Sequence, residues 1–263
     1  MLLAIDCGNT NTKFGLYEGT APGGRFARVF RLDTDARLTA ADYRARFDKE
    51  MQMAGFDAAA VSGAAVATVV PAARAALVDF AQTLIGRAPV VVVGAPGVAL
   101  GLKVLIDRPE EAGADRLAAA VAAHAGWSGR KIVLDFGTAT TFDVVTADGD
   151  YAGGVIAPGV NLALDALHAG TAQLPRIKVA RPKRVIGAGT VAAMESGIYW
   201  GYVGLIEGIV ARIKAEWGNA AVTVIATGGL AALFAGGTSV IDATDPDLTL
   251  HGIVLVHQLN RPQ

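Results

Sequence analysis

The chain has 263 residues, 52% hydrophobic and 18% charged, which describes a folded protein with a substantial core and excludes a disordered one. Its 23 basic and 24 acidic residues give a net charge of −1, so there is no large basic field to draw nucleic acid or an anionic membrane, and a small-molecule partner is expected. One cysteine, Cys7, excludes an internal disulfide, and His124, His168, His251 and His257 are too scattered to form a Cys/His metal spacing.

Residues 2 to 32 pattern as three strands, with turns around Gly8 and Asn9 and at "EGTAPGG". Helical periodicity follows across "TAADYRARFDKEMQMAG". "VATVV" reads as a buried strand, Pro71 suits the first turn of the next helix, and "APVVVVG" supplies another β-branched run. After a loop from about Gly94 to Gly113 the order starts again with helix "DRLAAAVAAHAG", strands "KIVLDF" and "TTFDVVT", turn "ADGD", strand "YAGGVI" and a helix from about Pro158. A long helix is predicted from Thr190 to about Trp217, and "VIATGGLAALF" reads as a strand running through Gly228 and Gly229 into a helix. Alternating strands and helices argue for an α/β fold. The apolar stretch between Asp57 and Arg74 is shorter than the roughly 20 residues of a spanning helix. With no basic flank at the start, no secretory signal is read, and a cytoplasmic protein is expected.

Aligned at one offset, "IDCGNTNTKFGL" and "LDFGTATTFDVV" bring Asp6 onto Asp135, Gly8 onto Gly137 and Thr12 onto Thr141. These matches fall on the turn of one strand-turn-strand unit, as an internal duplication requires. Two lobes with a cleft are therefore expected, residues 1–113 and 114–263, divided near Gly113.

The first turn runs through Asp6, Cys7, Gly8, Asn9, Thr10, Asn11, Thr12 and Lys13. Such a turn presents N–H groups and hydroxyls to phosphate oxygens, and Asp6 at a strand end suits the hydrated Mg²⁺ that accompanies ATP. A plain hairpin would look the same in isolation; the second matching turn favours the phosphate cradle. Lys13 is either a phosphate partner or a solvated surface residue, and Cys7 reads as a small buried strand residue. In "PEEAGADR", Asp115 is either a helix cap or a base for a substrate hydroxyl, and Arg116 is a candidate ligand for phosphate or carboxylate. "VIGAGTVAA" matches G-x-G-x-x-A but lacks the acidic second strand about 20 positions on, so a dinucleotide fold is not read. Gly197, Gly201, Gly204 and Gly208 recur along the long helix, each costing up to about 1 kcal/mol. They argue for a smooth face that receives another backbone, or else for a kink.

In this order, "DCGNTNTKFG", "GADR", "DFGTATTFD", "GGVIAPG", "GTVAAMESGIYWGYVG" and "ATGGLA" resemble type III pantothenate kinase, a family that also looks like the Bvg accessory factor proteins. The resemblance implies a sugar kinase/Hsp70/actin-like fold, ribonuclease H-like in each lobe. It implies ATP-dependent phosphorylation of the primary hydroxyl of pantothenate to 4'-phosphopantothenate, the first committed step towards coenzyme A. It further implies that Asp6 to Lys13 line the ATP phosphates and that Thr138 adds a nucleotide contact. Gly113, Ala114, Asp115, Arg116 and Thr190 would contact pantothenate, with Asp115 as proton acceptor. Asp135 would mark a site for potassium or ammonium, and the chain would form a homodimer.

No P-loop motif is present. The sequence departs from the family where "ATVVP" replaces "SSVVP" and where "IGAGT" lacks a basic or Asn side chain before Thr190, which bears on the cleft's shape there. A regulatory protein on the same scaffold, or another kinase or phosphatase of the same fold, would be the competing reading. The presence of Asp6, Asp115 and Asp135 together favours the enzyme.

Overall fold

A computed structural model describes residues 1–19, 24–170 and 174–261. Residues 20–23, the middle of the predicted "EGTAPGG" turn, lie outside it. The first sheet has the order β3-β2-β1-β4-β5, built from β1 (Leu2–Cys7), β2 (Asn11–Glu18), β3 (Arg25–Asp33), β4 (Gly63–Thr68) and β5 (Val91–Val92). The second has the order β10-β9-β6-β7-β8, from β6 (Arg130–Phe136), β7 (Ala139–Val145), β8 (Tyr151–Pro158), β9 (Val222–Gly228) and β10 (Ala243–Thr244). In each, the leading strand pairs antiparallel with the next strand in sequence and parallel with the strand on its other side, β1 with β4 and β6 with β9. Strand for strand the two sheets share one topology, as duplication predicts.

The duplication is not at a single offset. Cys7 pairs with Thr12, whereas Phe136 pairs with Thr140. The Gly8 N–H donates to Asn11 O, and the Gly137 N–H donates to Ala139 O, each at 3.0 Å. The second turn is thus one residue shorter, and the partner of Thr12 is Thr140 rather than Thr141. Both threonines are fully buried, so the deletion is absorbed in the turn and the strands keep their inside and outside faces.

Helix α1 (Ala40–Ala54) begins in a reciprocal Thr39–Asp42 capping box and ends at Gly55 in the left-handed conformation. Helix α2 (Pro71–Ile85) starts on Pro71. Strand β4 stops short of "VV" because the Thr68 hydroxyl takes the Val70 N–H at 3.0 Å, turning the chain into that helix. The remaining helices are α3 (Ala114–Gly126), α4 (Val160–Ala169), α5 (Thr190–Glu216), α6 (Ala231–Ala235) and α7 (Leu248–Leu259). Helix α5 runs unbroken through its four glycines.

The chain forms two compact units. One contains Met1–Gly126, Gly149–Tyr151 and the segment from Leu248; the other contains Trp127–Asp148 and Ala152–Asp247. Helices α3 and α7 both follow Gly113 yet belong to the first unit, so the compact units do not follow sequence order. The period-two pattern of β1 explains this. Leu3, Ile5 and Cys7 face Phe47, Leu77 and Phe80 of α1 and α2, while Leu2 and Ala4 face Ala118, Val121, Ile253 and Val254 of α3 and α7. A sheet covered on both faces needs both helix pairs. In the second unit Tyr199, Val203, Ile206 and Val210 of α5 pack on Ile132, Leu134 and Val224.

Candidate active site

The turn joining β1 to β2 stands at the carboxyl end of β1, beside the carboxyl end of β4: Cys7 pairs with Thr68, and the Val69 N–H donates to Cys7 O at 3.1 Å. Ligands of open α/β sheets bind at such strand ends. Asn9, Thr10 and Asn11 are exposed at the tip, Asp6, Gly8 and Lys13 are half-buried, and Cys7 and Thr12 are buried. Asp6 and Lys13 lie directly opposite one another across the two strands. The exposed part therefore offers backbone N–H groups, amides and one hydroxyl, while Cys7 and Thr12 form its floor.

The "GADR" segment reaches the same end of the same sheet. A Cβ added at Gly113 would stand 3.3 Å from Val69 Cγ1 and 2.6 Å from Asp115 Oδ1. The Asp115 carboxylate folds back over residue 113, and any side chain there would have to displace it. Asp115 Oδ1 accepts the Arg116 backbone N–H at 2.8 Å, and burial raises the carboxyl pKa above its ordinary 3.8 despite that bond and the nearby Arg116 charge. A surface cap would have the opposite shift. The Arg116 guanidinium lies 5.7 Å over the Tyr151 ring, and Tyr151 is itself buried, held through its N–H to Lys103 O at 2.9 Å. Ala114 opens α3 and is half-buried.

In the second unit Asp135 is the penultimate residue of β6, opposite Thr227, and Phe136 ends that strand opposite Gly228, the end of β9. Gly228 has φ +88°, and a Cβ there would stand 2.5 Å from Asp135 Oδ1 and 2.6 Å from Phe136 O. A carboxylate and a carbonyl oxygen thus converge on a space kept clear by glycine, a donor set that suits a hard cation. Thr138 is exposed at the tip of the second turn, and Thr190 is exposed as the first residue of α5. Asp6 through Lys13 and Gly113 through Arg116 come together in the first unit, while Asp135, Thr138 and Thr190 belong to the second.

Among the described residues no cluster of three or more His, Cys, Asp and Glu side chains could hold a metal alone. A single carboxylate, Asp6, fits Mg²⁺ that keeps its waters and arrives on phosphates. Among the described residues no helix is long and apolar enough to cross a membrane.

Sequence reasoning missed several polar residues. Thr34, just past β3, donates from Oγ1 to Gly8 O at 2.8 Å, and its N–H donates to Thr10 O at 3.0 Å. Lys131 and Asp143 are buried on adjacent strands; burial lowers the Lys131 pKa, and Asp143 Oδ2 accepts from Thr141 at 3.0 Å. Lys131 and Asp143 break the apolar alternation of β6 and β7, a signal legible in "KIVLDF" and "TTFDVV". Thr34 gives no such local sign.

The sequence pattern of the type III pantothenate kinase family matches residues 2–212. A type III pantothenate kinase of Rhodospirillum centenum is 53% identical over 263 residues, covering 99% of each chain. Among solved structures, a Baf family protein from Campylobacter jejuni superposes with a TM-score of 0.60 at 18% identity, covering 98% of each chain. A Sinorhizobium meliloti protein named for 2-dehydro-3-deoxygalactonokinase activity gives 0.60 at 14%, covering 100% of this chain and 98% of the other. At those identities the structures speak for the fold, the duplicated α/β architecture of sugar kinases and actin-like proteins.

Proposed function

The chain belongs to the type III pantothenate kinase family, and from that premise we propose how it phosphorylates pantothenate with ATP in coenzyme A biosynthesis. The observation that carries the assignment of roles is the Asp115 carboxylate, folded over Gly113 at the strand end that also bears the first turn. With Oδ1 occupied by the Arg116 N–H, we assign Oδ2 to the primary hydroxyl of pantothenate. Burial makes this carboxylate a better proton acceptor than an exposed aspartate. The acid-base job is therefore given to a carboxyl whose proton affinity burial has raised.

The turn from Asp6 to Lys13 is the site for the ATP phosphates, its exposed amides and hydroxyl directed at the oxygens and Asp6 at hydrated Mg²⁺. Thr138 adds a nucleotide contact. Gly113, Ala114, Arg116 and Thr190 bind pantothenate, with Arg116 steadied on Tyr151 and suited to the carboxylate of the substrate. Asp135 holds potassium or ammonium. When bound, Mg²⁺ and the monovalent cation supply positive charge against the transferring phosphoryl group; the chain supplies alignment, and positioning carries most of the rate.

A homodimer built on α5 goes with this reading. Gly197, Gly201 and Gly204 are exposed, and a Cβ at any of them would meet nothing within 4 Å. A face so open in one subunit keeps its glycine cost of about 1 kcal/mol each without an internal reason. We place the enzyme in the cytoplasm, where an ATP-dependent step of coenzyme synthesis has its substrate.

The test is ADP release from ATP and Mg²⁺, with and without pantothenate, in potassium and in sodium buffer. Pantothenate-dependent release that requires potassium or ammonium is expected. A folded protein that binds ATP but releases no ADP with pantothenate in either cation would overturn the reading in favour of a regulatory role.

A further inference from the structure

We propose that Thr34 is a positioning residue for ATP, fixing the direction of the amide groups in the first turn. This rests on the reading of that turn as the phosphate site. Thr34 stands one residue past β3, where its N–H extends the ladder to Thr10 O at 3.0 Å. Its hydroxyl lies 2.8 Å from Gly8 O and 2.9 Å from Thr12 Oγ1. Each hydroxyl has one proton, so Thr34 gives its own to the Gly8 carbonyl and receives that of Thr12. Cys7 Sγ lies 3.4 Å from Thr12 Oγ1 at the inner end of the chain of contacts.

The consequence follows from peptide geometry. In a planar trans peptide the N–H points opposite to the C=O. Anchoring the carbonyls of Gly8 and Thr10 on one residue therefore aims the N–H groups of Asn9 and Asn11 away from Thr34, both from the exposed tip. Two amides held in fixed directions by a neighbouring strand make a preorganised anion site, whereas a free hairpin would have to order them on binding. Thr34 is held in turn by its own backbone N–H bond to Thr10 O at 3.0 Å.

The experiment compares Thr34→Val and Thr34→Ser with the wild-type enzyme. Valine keeps the shape, the β-branch and the backbone N–H, and removes only the hydroxyl. Thr34→Val is expected to raise KM for ATP about tenfold with KM for pantothenate and kcat changed by less than about threefold. Thr34→Ser should restore most of the ATP affinity. Equal losses for both substrates, an unchanged KM for ATP, or failure of serine to rescue would overturn the proposal. Asp6→Asn serves as the control on the underlying reading. If Asp6→Asn alters the ATP and Mg²⁺ dependence and Thr34→Val does not, Thr34 has no positioning role. If Asp6→Asn alters neither, the turn is not the phosphate site and both readings fall.

Discussion

Replacing Gly252 of α7 with alanine should destabilise the protein, although alanine is the better helix former. In an open helix the exchange gains about 1 kcal/mol. Here the new Cβ would stand 1.8 Å from Ala118 O, 2.4 Å from Ala118 C and 3.0 Å from Ala118 Cα, all backbone atoms of α3 that no rotamer change can clear. Opening the oxygen contact from 1.8 Å to even 3.0 Å requires two packed helices to separate. Overpacking of this kind costs about 3 kcal/mol at the upper end of the usual range, leaving a net loss of about 2 kcal/mol once helix propensity is credited. For a chain of this size that corresponds to a fall in Tm of roughly 4 to 8 °C. Ala118 lies one turn beyond Asp115, so whatever displacement α3 absorbs moves the proposed base, and a misplacement near 1 Å is enough to lower kcat about 100-fold. Thermal and guanidinium denaturation followed by circular dichroism, with steady-state kinetics on the same samples, measure both effects. A Tm equal to or above wild type would refute the close-packing argument.

Asp115→Asn should lose at least about a thousandfold in kcat while becoming more stable than wild type at pH 7. A carboxyl whose folded pKa is raised penalises the fold when ionised, so the gain should shrink as pH falls towards 3.8; near wild-type turnover would remove Asp115 from its role. Asp135→Ala should abolish activation by potassium or ammonium, and an unchanged cation dependence would move that site elsewhere. His257 is buried against Gly63, its Nδ1 without a partner, and burial lowers its pKa from 6.5 to about 4. Its contribution to stability is whole above pH 6.5 and is lost as pH falls from 6.5 towards 4, up to roughly 3 kcal/mol; guanidinium titrations at pH 7.5 and 5 should therefore converge in His257→Leu, and an undiminished pH dependence would exclude this residue. Gly204→Trp should shift the protein from dimer to monomer in sedimentation velocity, and an unchanged sedimentation coefficient would exclude α5 as the shared face.

What was legible in the sequence was what local chemistry decides. Thr39, Asp42 and Gly55 bracket α1, Pro71 opens α2, and the uninterrupted pattern from Thr190 to Trp217 matches α5 almost to the residue. The start of β4 was not legible: Gly63, Ala64 and Ala65 have poor strand propensity, and their small size answers to His257 and to the helices packed on the sheet. Of "VVVVG" Val91 and Val92 form the strand and Val93 adds one bond from its N–H to Val66 O at 2.9 Å, although β-branching runs through all four valines. The first turn could be read because glycine, asparagine and threonine declare themselves, but adjacent Thr140 and Thr141 concealed the one-residue deletion in the second. Asp115 was ambiguous between cap and base because the difference is burial by distant segments. Thr34 was invisible for a similar reason, since its partners lie 22 to 26 residues away.

The covering of the first sheet has a consequence for the order in which the molecule is made. Leu250, Ile253, Val254 and Val256 of α7 are fully buried with Leu2 and Ala4 of β1, so a strand begun at the second residue waits for a helix that begins at Leu248. At about 5 to 20 residues per second during synthesis, that face of β1 has at most α3 to pack on, and lacks α7, for roughly ten seconds or more. The second unit is nearly continuous from Trp127 to Asp247 and can close in that interval. The later-encoded unit thus has all its strands and helices before the first unit receives its last helix, α7.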